Sequence, residues 1–488
     1  MDRFKSTRPN LVFIFSDQQS HDMVGAYGLS DVKTPRLDEL ASRGILFNHA
    51  VSNAPVCTPA RSMMISGLHP LWNNCFTNDR RLSTELGDSF AEVTKRAGYR
   101  NGYVGKWHLY GGDRDRPIPA GPDRHGFDDV FLSNNCHVNY DPDNAFFWDG
   151  DRKRLFGKWE AEGQTDQAIE FLEAQSADSP FTLFVSYHPP HNHVGGDADA
   201  YSMFDAPAEA KALYDPEELT LRPTVPVNDR TKRMTQGYLA MCSDLDANIG
   251  RILDTLEASG LADNTIVVYT SDHGETFGAF NNHWHKSSPE DVSTRVPLII
   301  RLPEGTAAPR TSDLIVGTID LMPTLLGLMG LDVSNDLHGK DLSQAIVEGH
   351  DDAVESAPLF YFTTPWRGVY THEWTYSVEN IDRSDGDEPH PESDIGRTVL
   401  VRRMDTLFNR TDDPHQVYNL FGHRAMPGIE DPQAVQARLH DLTLAWLDYF
   451  EDPFPDQKEL WSYIGADDEA PIARMRASRG RARGPQPR

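Results

Sequence analysis

The strongest constraint on the fold is an alternation of short apolar runs with longer stretches of helical pattern. The runs have the composition of strands buried on both faces, and they cover residues 11–15, 101–104, 181–187, 265–270 and 298–300. Strands joined through helices pair in parallel, because the crossover returns the chain to the same edge of the sheet. The alternation therefore predicts an α/β fold, with a mostly parallel sheet sandwiched between helices.

Capping residues mark the expected ends of several helices. Thr34, followed by proline, is typical of an N-cap and first turn, and Gly44 lies near the expected end. The same pattern recurs over residues 89–97. Residues 232–259 carry a long amphipathic pattern, which predicts a helix packed on the sheet just before the fourth apolar run.

The helical signal weakens after about residue 350. Residues 367–378 and 398–408 alternate like antiparallel strands, and residues 382–394, rich in acid, proline and glycine, predict an exposed loop. Six arginines lie among Gly, Pro and Ala from residue 474 onward, which is typical of a solvated terminus rather than a phosphate or lipid site. We therefore predict a main domain over residues 1–355, an α+β subdomain with an antiparallel sheet over 356–465, and a disordered tail over 466–488.

Composition limits the function classes. Hydrophobic residues make up 39% of the chain, enough to bury a core, and the net charge of −28 argues against nucleic acid as the main partner. The first apolar run is too short for a signal peptide or a membrane helix, so we expect a cytoplasmic protein without a membrane partner. Four cysteines, irregularly spaced, form neither a disulfide framework nor a zinc pattern.

Polar clusters follow four of the predicted strands, where ligand sites of α/β sheets lie. The clusters are residues 16–18, 105–108, 188–191 and 271–274. Asp17, Asp272 and His273 would together offer two carboxylates and an imidazole to a divalent cation. Gln18 could add a carbonyl oxygen. Either motif alone is more typical of a helix cap or a turn, but at two strand ends the pair favours a metal site.

Cys57 stands at the start of a predicted helix. Pro59 suits the first turn, and the positive end of the helix and the nearby Arg61 would lower the pKa of the thiol and favour bound anions. A lone cysteine is more often a small core residue. The surrounding pentapeptide changes that balance.

The motif Cys57-x-Pro59-x-Arg61, followed by Ser66-Gly67, resembles the sulfatase signature that directs conversion of its cysteine to formylglycine by a formylglycine-generating enzyme. Further segments resemble sulfatase motifs in the same order: residues 10–18, 98–109, 180–191, 263–274, 286–297, 320–324 and 412–420. The resemblance spans residues 10 to about 420. It implies an alkaline-phosphatase-like α/β fold with a small C-terminal antiparallel sheet, and a main domain that hydrolyses sulfate esters.

The resemblance also implies roles for individual residues. One divalent metal would be held by Asp17, Gln18, the converted Cys57, Asp272 and His273. One hydroxyl of the formylglycine hydrate would displace the alcohol from sulfur, and the sulfated intermediate would then eliminate sulfate. The catalytic set comprises Arg61 bridging to the hydrate, Lys106 orienting and neutralising position 57, His108 as base in the elimination, His191 as proton donor to the alcohol, and Lys286 on the sulfate oxygens.

Departures from the sulfatase pattern leave alternatives open. Gln18 stands where most sulfatases have a second aspartate. The oxygen-rich ligand set makes calcium the first expectation, while neutral Gln18 and His273 keep magnesium, manganese and zinc open. The Asp-Gln and Asp-His pairs also occur in the related phosphonate monoester hydrolases and choline sulfatases. A phosphonate monoester or phosphodiester activity is therefore the alternative, and a non-catalytic anion-binding relative is a second. The sequence leaves open an aryl, choline-like or saccharide leaving group, and homo-oligomerisation.

Overall fold

The computed structural model describes residues 8–28, 31–85, 87–193, 203–282, 285–379, 404–423, 430–456, 459–460 and 486–487. The loop predicted over residues 382–394 lies outside these ranges, as do the start of the strand predicted at 398 and nearly all of the predicted tail. The domain boundaries and the cytoplasmic location stay predictions. Within the described ranges, no helix is both long and apolar enough to cross a membrane.

The main sheet has ten strands among the described residues. In chain order they are β1 (Asn10–Ser16), β2 (Ile45–Val51), β3 (Arg100–Lys106), β4 (Val130–Asn134), β5 (Phe146–Asp149), β6 (Arg152–Leu155), β7 (Phe181–Ser186), β8 (Thr265–Ser271), β9 (Leu298–Arg301) and β10 (Arg310–Gly317). Their order across the sheet is β10-β2-β9-β8-β1-β7-β3-β4-β5-β6. The central run β8-β1-β7-β3-β4 is parallel, which confirms the predicted mostly parallel sheet.

Helices cover both faces of this sheet. The described α-helices are α1 (Pro35–Ser42), α2 (Cys57–Ser66), α3 (Pro70–Asn73), α4 (Phe90–Arg96), α5 (Glu160–Glu173), α6 (Ala208–Lys211), α7 (Asp229–Ala258), α8 (Ala279–Asn282), α9 (Asp291–Thr294), α10 (Leu321–Leu328), α11 (Ser343–Glu348) and α12 (Pro432–Phe450). Helix α7 confirms the long amphipathic helix predicted from residue 232. Among the longer helices, α5 and α12 were not predicted, and neither were five strands of the main sheet, β2, β4, β5, β6 and β10.

Strand β1 shows why the sheet lies between two helical layers. Leu11, Phe13 and Phe15 point into the core cluster that contains α10, whereas Val12 and Ile14 point into the cluster that contains α7. All five side chains are 2% exposed or less. Because successive strand residues face opposite sides, an uninterrupted apolar run needs a hydrophobic layer on each face.

The run at residues 298–300 does form a strand, but its expected parallel direction is wrong. Strand β9 is antiparallel to both of its neighbours, β8 and β2. The chain that follows β8 stays at the carboxyl edge of the sheet, where the N–H of Gly274 donates to the carbonyl of Ser293. It therefore enters β9 from that same edge and runs back through the sheet.

Capping was predicted correctly for one helix and incorrectly for another. Ser89 caps α4 through a capping box with Glu92, as the local pattern indicates. Thr34 precedes α1, but its side chain does not cap the helix. The carboxylate of Asp246, on α7, accepts the N–H groups of Arg36 and Leu37 instead.

The second sheet is antiparallel and has four strands among the described residues: β11 (Ser356–Tyr361), β12 (Trp366–Thr371), β13 (Trp374–Val378) and β14 (Thr406–Asn409). Its members Val369 and Tyr376 share a core cluster with Val435 and Leu439 of α12. This confirms the predicted small C-terminal antiparallel sheet.

Candidate active site

The site lies at the carboxyl edge of the central strands. Strands β1 and β8 pair in register up to Ser16 and Ser271, so the next residue of each strand, Asp17 and Asp272, must emerge side by side. The backbone holds them there, because the N–H of Asp272 donates to the carbonyl of Ser16 and the N–H of Gln18 donates to the Asp272 carboxylate at 3.1 Å. Two carboxylates at one point therefore follow from strand register.

Four side chains with metal-binding atoms converge at this point. One atom each from Asp17, Cys57, Asp272 and His273 lies within 4.8 Å of all the others, and all four residues are buried. The Nε2 atom of His273 is 3.5 Å from Asp17 Oδ1, 3.6 Å from Asp272 Oδ1 and 3.3 Å from Cys57 Sγ. The sequence had assigned all four of these residues to one metal centre.

The donor set fits a divalent cation. The Nδ1 atom of His273 lies 3.1 Å from the carbonyl oxygen of Gly274, which it can contact only as a donor. Nε2 is thus the ring atom that faces the two Oδ1 atoms, and it can bind a cation once the imidazole is neutral. Separations near 3.5 Å are long for hydrogen bonds but match those between atoms bound at about 2.0–2.5 Å around one ion.

Arg61 and Lys106 lie behind the carboxylates. Arg61 contacts Asp272 Oδ2 at 2.9 Å and Asp17 Oδ2 at 3.0 Å, and Lys106 contacts Asp17 Oδ2 at 2.5 Å. These cations occupy the Oδ2 atoms and leave the Oδ1 atoms directed at His273. Arg61, predicted to bridge to position 57, instead bridges the two aspartates.

Burial and the neighbouring charges shift the pKa values of the two aspartates in opposite directions. Burial would raise the pKa of Asp17, but Lys106, His191 and Arg61 hold it well below its usual range. Burial and the neighbouring Asp17 charge raise the pKa of Asp272. A cation between them would relieve that repulsion.

Cys57 is the first residue of helix α2 and is surrounded by positive charge. Its Sγ atom lies 3.0 Å from Lys286 Nζ. Burial would raise the pKa of the thiol, but Lys106, Lys286 and His273 together lower it well below its ordinary value. The residue is 1% exposed, so this reactive group is enclosed by the site.

Lys286 and His191 form a second cationic element above Cys57. Lys286 Nζ lies 2.9 Å from His191 Nε2, and His191 Nδ1 lies 2.8 Å from the carbonyl oxygen of Asn192. Burial and Lys286 lower the pKa of His191 to about 4. In the resting protein His191 is therefore neutral, donating through Nδ1 and accepting from Lys286 through Nε2.

His108 is held by a carboxylate and an arginine. Its Nε2 atom lies 3.1 Å from Asp79 Oδ1, and Arg114 grips the same carboxylate at 2.9 and 2.7 Å. Burial disfavours the imidazolium, but the sulfur of Cys136 and the Asp79 hydrogen bond outweigh it and raise the pKa of His108 to about 10. In the resting protein His108 is therefore a positively charged imidazolium.

Sequence reasoning missed several residues that support the site. Asn78 accepts the N–H of Thr58 at 3.0 Å, and Ser186 accepts from Arg61 at 2.6 Å. Glu275, two residues after His273, contacts Gln18. Glu275 and Ser186 adjoin strand ends that were already predicted, so extending each cluster by one or two residues would have found them. Asp79 and Asn78 carried no such signal.

The structure brings every predicted site residue to this one edge of the sheet. Fold and site together define an α/β ester hydrolase with a buried reactive group at the carboxyl ends of its strands. The Sulfatase family profile matches residues 9–331 of the 488, and the chain belongs to the sulfatase family. It is a sulfuric ester hydrolase.

Individual relatives agree with this assignment. The chain is 35% identical to an ulvan-active sulfatase of Formosa agariphila over 85% of this chain and 78% of the relative. It is 25% identical to an endo-4-O-sulfatase of Bacteroides thetaiotaomicron over 93% and 95% of the two chains. The crystal structure of the yidJ protein of Bacteroides fragilis matches with a TM-score of 0.78 and 30% identity, covering 94% of this chain and 98% of that one.

Proposed function

We propose that this sulfatase hydrolyses its ester with a formylglycine derived from Cys57 and one divalent metal. The observation that carries the proposal is the convergence of Cys57, at the start of α2, with two carboxylates and the Nε2 atom of His273. Conversion of the thiol to an aldehyde yields a hydrate with two hydroxyl groups on one carbon, one to attack sulfur and one to drive release of sulfate. A formylglycine-generating enzyme is then a necessary partner during maturation.

The metal is proposed to be calcium. Asp17, Asp272, His273 and Gln18 would hold it, together with position 57; the oxygen-rich set favours calcium, while the imidazole keeps magnesium, manganese and zinc as alternatives. A divalent cation bound there acts as a Lewis acid that polarises the ester and favours a deprotonated nucleophile. Elemental analysis of the purified protein identifies it.

The cationic residues position the ester and its charge. Lys106 neutralises the negative charges of Asp17 and of position 57, and Arg61 fixes the distance between the two aspartates. Lys286, 3.0 Å from Cys57 Sγ, is placed to contact the sulfate oxygens above that atom. The role of Arg61 in this proposal is thus to hold the carboxylates, rather than to contact the hydrate.

Two histidines handle protons. His191 accepts from Lys286 at 2.9 Å, so the proton for the departing alcohol is held between these two groups. His108, which Asp79 orients, is the proposed base in the elimination. Because Cys136 and Asp79 keep it protonated in the resting protein, it must lose that proton before it can act as the base.

The proposed substrate is a sulfated saccharide. Relatives of this chain include proteins named for activity on ulvan and for endo-4-O-sulfatase activity, which supports a saccharide over an aryl or choline-like leaving group. A phosphonate monoester or phosphodiester stays the second candidate, because Gln18 and His273 occupy the positions that the related phosphonate hydrolases share.

Mass spectrometry of the tryptic peptide that contains position 57 tests the proposal. Protein produced with a formylglycine-generating enzyme should lose the thiol mass and gain the aldehyde mass, in proportion to its turnover of a nitrophenyl sulfate. Full activity with an intact thiol would contradict the mechanism. Faster turnover of a phenyl phosphonate ester than of the sulfate would favour the second candidate.

A further inference from the structure

The side chain of Gln18 is fixed by contacts at both ends of its amide. Its Nε2 atom donates to Glu275 Oε2 at 2.5 Å and to Asn192 Oδ1 at 3.2 Å. Its Oε1 atom faces the other way and lies 3.2 Å from Lys286 Nζ, which itself contacts Cys57 Sγ. The carbonyl oxygen thus points to the cluster, and the amide nitrogen points away from it.

Glu275 decides this orientation because its carboxylate accepts the hydrogen bonds of several donors at once. Oε1 accepts the backbone N–H groups of Phe277 at 2.8 Å and of His285 at 2.9 Å. Oε2 accepts from Gln18, and the ring nitrogen Nδ1 of His285 lies 3.6 Å from it. Glu275 is fully buried, at 0% exposure. An ionised carboxylate accepts hydrogen bonds only, so the amide group that meets it must be the NH₂.

The charges around the cluster give Glu275 a second effect. Arg61 and Lys106 contact the two aspartates of the site, and Lys286 contacts Cys57 beside them. In the usual sulfatase pattern the residue at position 18 is a further anion, whereas here it is neutral. Glu275, one hydrogen bond farther out, returns a negative charge to the same side of the site.

We infer that Glu275 is a positioning residue that aims the carbonyl oxygen of Gln18 at the metal position and supplies the negative charge that position 18 lacks. The inference rests on the proposed function, since it needs a divalent cation in this cluster. Partners of metal ligands set the orientation and basicity of those ligands, and their loss weakens metal binding.

The variant Glu275→Gln separates this role from simple support of the loop. Its amide oxygen can still accept the N–H groups of Phe277 and His285, so the loop contacts survive. Its NH₂ group would then meet the NH₂ group of Gln18, which must turn and present nitrogen to the cluster. The exchange variant Gln18→Glu/Glu275→Gln keeps size and net charge and restores an acceptor facing the cluster.

Calorimetric titration of the chelator-treated full chain with Ca²⁺ tests the inference. We expect Glu275→Gln to bind Ca²⁺ about tenfold to a hundredfold more weakly than the wild type, and the exchange variant to recover most of that loss. Thermal unfolding in chelator should be similar for all three proteins. Turnover is not needed for this readout. Because position 57 is itself a proposed ligand, all three proteins are compared in the same state of conversion at that position.

The outcomes are distinct. Equal Ca²⁺ affinity of Glu275→Gln and the wild type overturns the inference while leaving the proposed function intact. Weak binding by both variants, with a lower unfolding temperature in chelator, assigns Glu275 to the loop and also overturns it. If the wild type binds none of Ca²⁺, Mg²⁺, Mn²⁺ and Zn²⁺, the proposed metal site itself fails and the inference with it.

Discussion

Arg61 in the catalytic sheet and Arg367 in the C-terminal sheet are both 1% exposed, and both contact aspartates, but they use the carboxylate oxygens differently. Arg367 contacts both oxygens of one carboxylate, that of Asp452, at 2.7 and 3.2 Å. Arg61 contacts a single oxygen on each of two carboxylates, Asp17 and Asp272.

The groups around the two guanidinium groups also differ. The guanidinium of Arg367 lies 4.3 Å from the ring centre of Phe362 and 4.6 Å from that of Phe454, and its remaining N–H groups donate to backbone carbonyls. Around Arg61 the carboxylate oxygens that the arginine does not contact instead face His273. A buried ion pair is therefore not a sign of a site by itself. What indicates a metal site is a carboxylate oxygen that the arginine does not contact and that can therefore bind an ion.

The largest effect should come from Asp272→Asn. The variant removes the negative charge of one of the two carboxylates that would bind the metal. We therefore expect the metal content to fall and kcat/KM for a sulfate ester to drop about 10³-fold. Stability in chelator should not fall, because burial and Asp17 already disfavour the Asp272 charge. Elemental analysis, turnover and urea unfolding measure the three quantities. Substantial activity with full metal content would break the distinction drawn between the two arginines.

A smaller effect, on stability alone, is expected from Asp452→Asn. It leaves the buried Arg367 without a counter-charge, so the free energy of unfolding should fall by about 3 kcal/mol, with kcat unchanged below the unfolding transition. Replacing both partners with apolar residues, Arg367→Met/Asp452→Leu, should recover most of the loss, because no charge then stays buried. A change in kcat without a change in stability would show that this pair, too, serves the site.

The last effect appears only as the pH changes, and it concerns a buried carboxylate whose hydrogen bonds come from backbone N–H groups rather than a cation. Burial raises the pKa of Asp246 to about 7, compared with about 3.9 in an unfolded chain. The folded protein thus holds this proton more tightly, so the contribution is fully present below about pH 4 and is lost as pH rises through 7.

Urea unfolding of the wild type and Asp246→Asn between pH 4 and 7 measures this contribution. As the pH rises, the free energy of unfolding of the wild type should fall relative to that of the variant by up to about 1.4 kcal/mol per pH unit. The reason is that the asparagine side chain at this position does not titrate. Parallel stability curves would mean that the N–H groups of Arg36 and Leu37 stabilise the carboxylate as well as a full cation does.

The sequence identified the parts of the site because each is a local signal. An apolar run followed at once by Asp17, or by Asp272 and His273, already implies polar groups at a strand end, and strand register then brings them together. The Cys57 motif and the capping box of Ser89 are likewise contained within a few consecutive residues.

Only the tertiary structure decided which distant partner each group meets. Asp246 caps α1 from 209 residues away, and Glu275 reaches Gln18 from 257 residues away. The reversed direction of β9 depends on where the preceding loop is held. Local rules act through backbone geometry over a few residues, whereas a buried carboxylate takes whichever N–H donors packing places beside it, and no pattern within either segment records that choice.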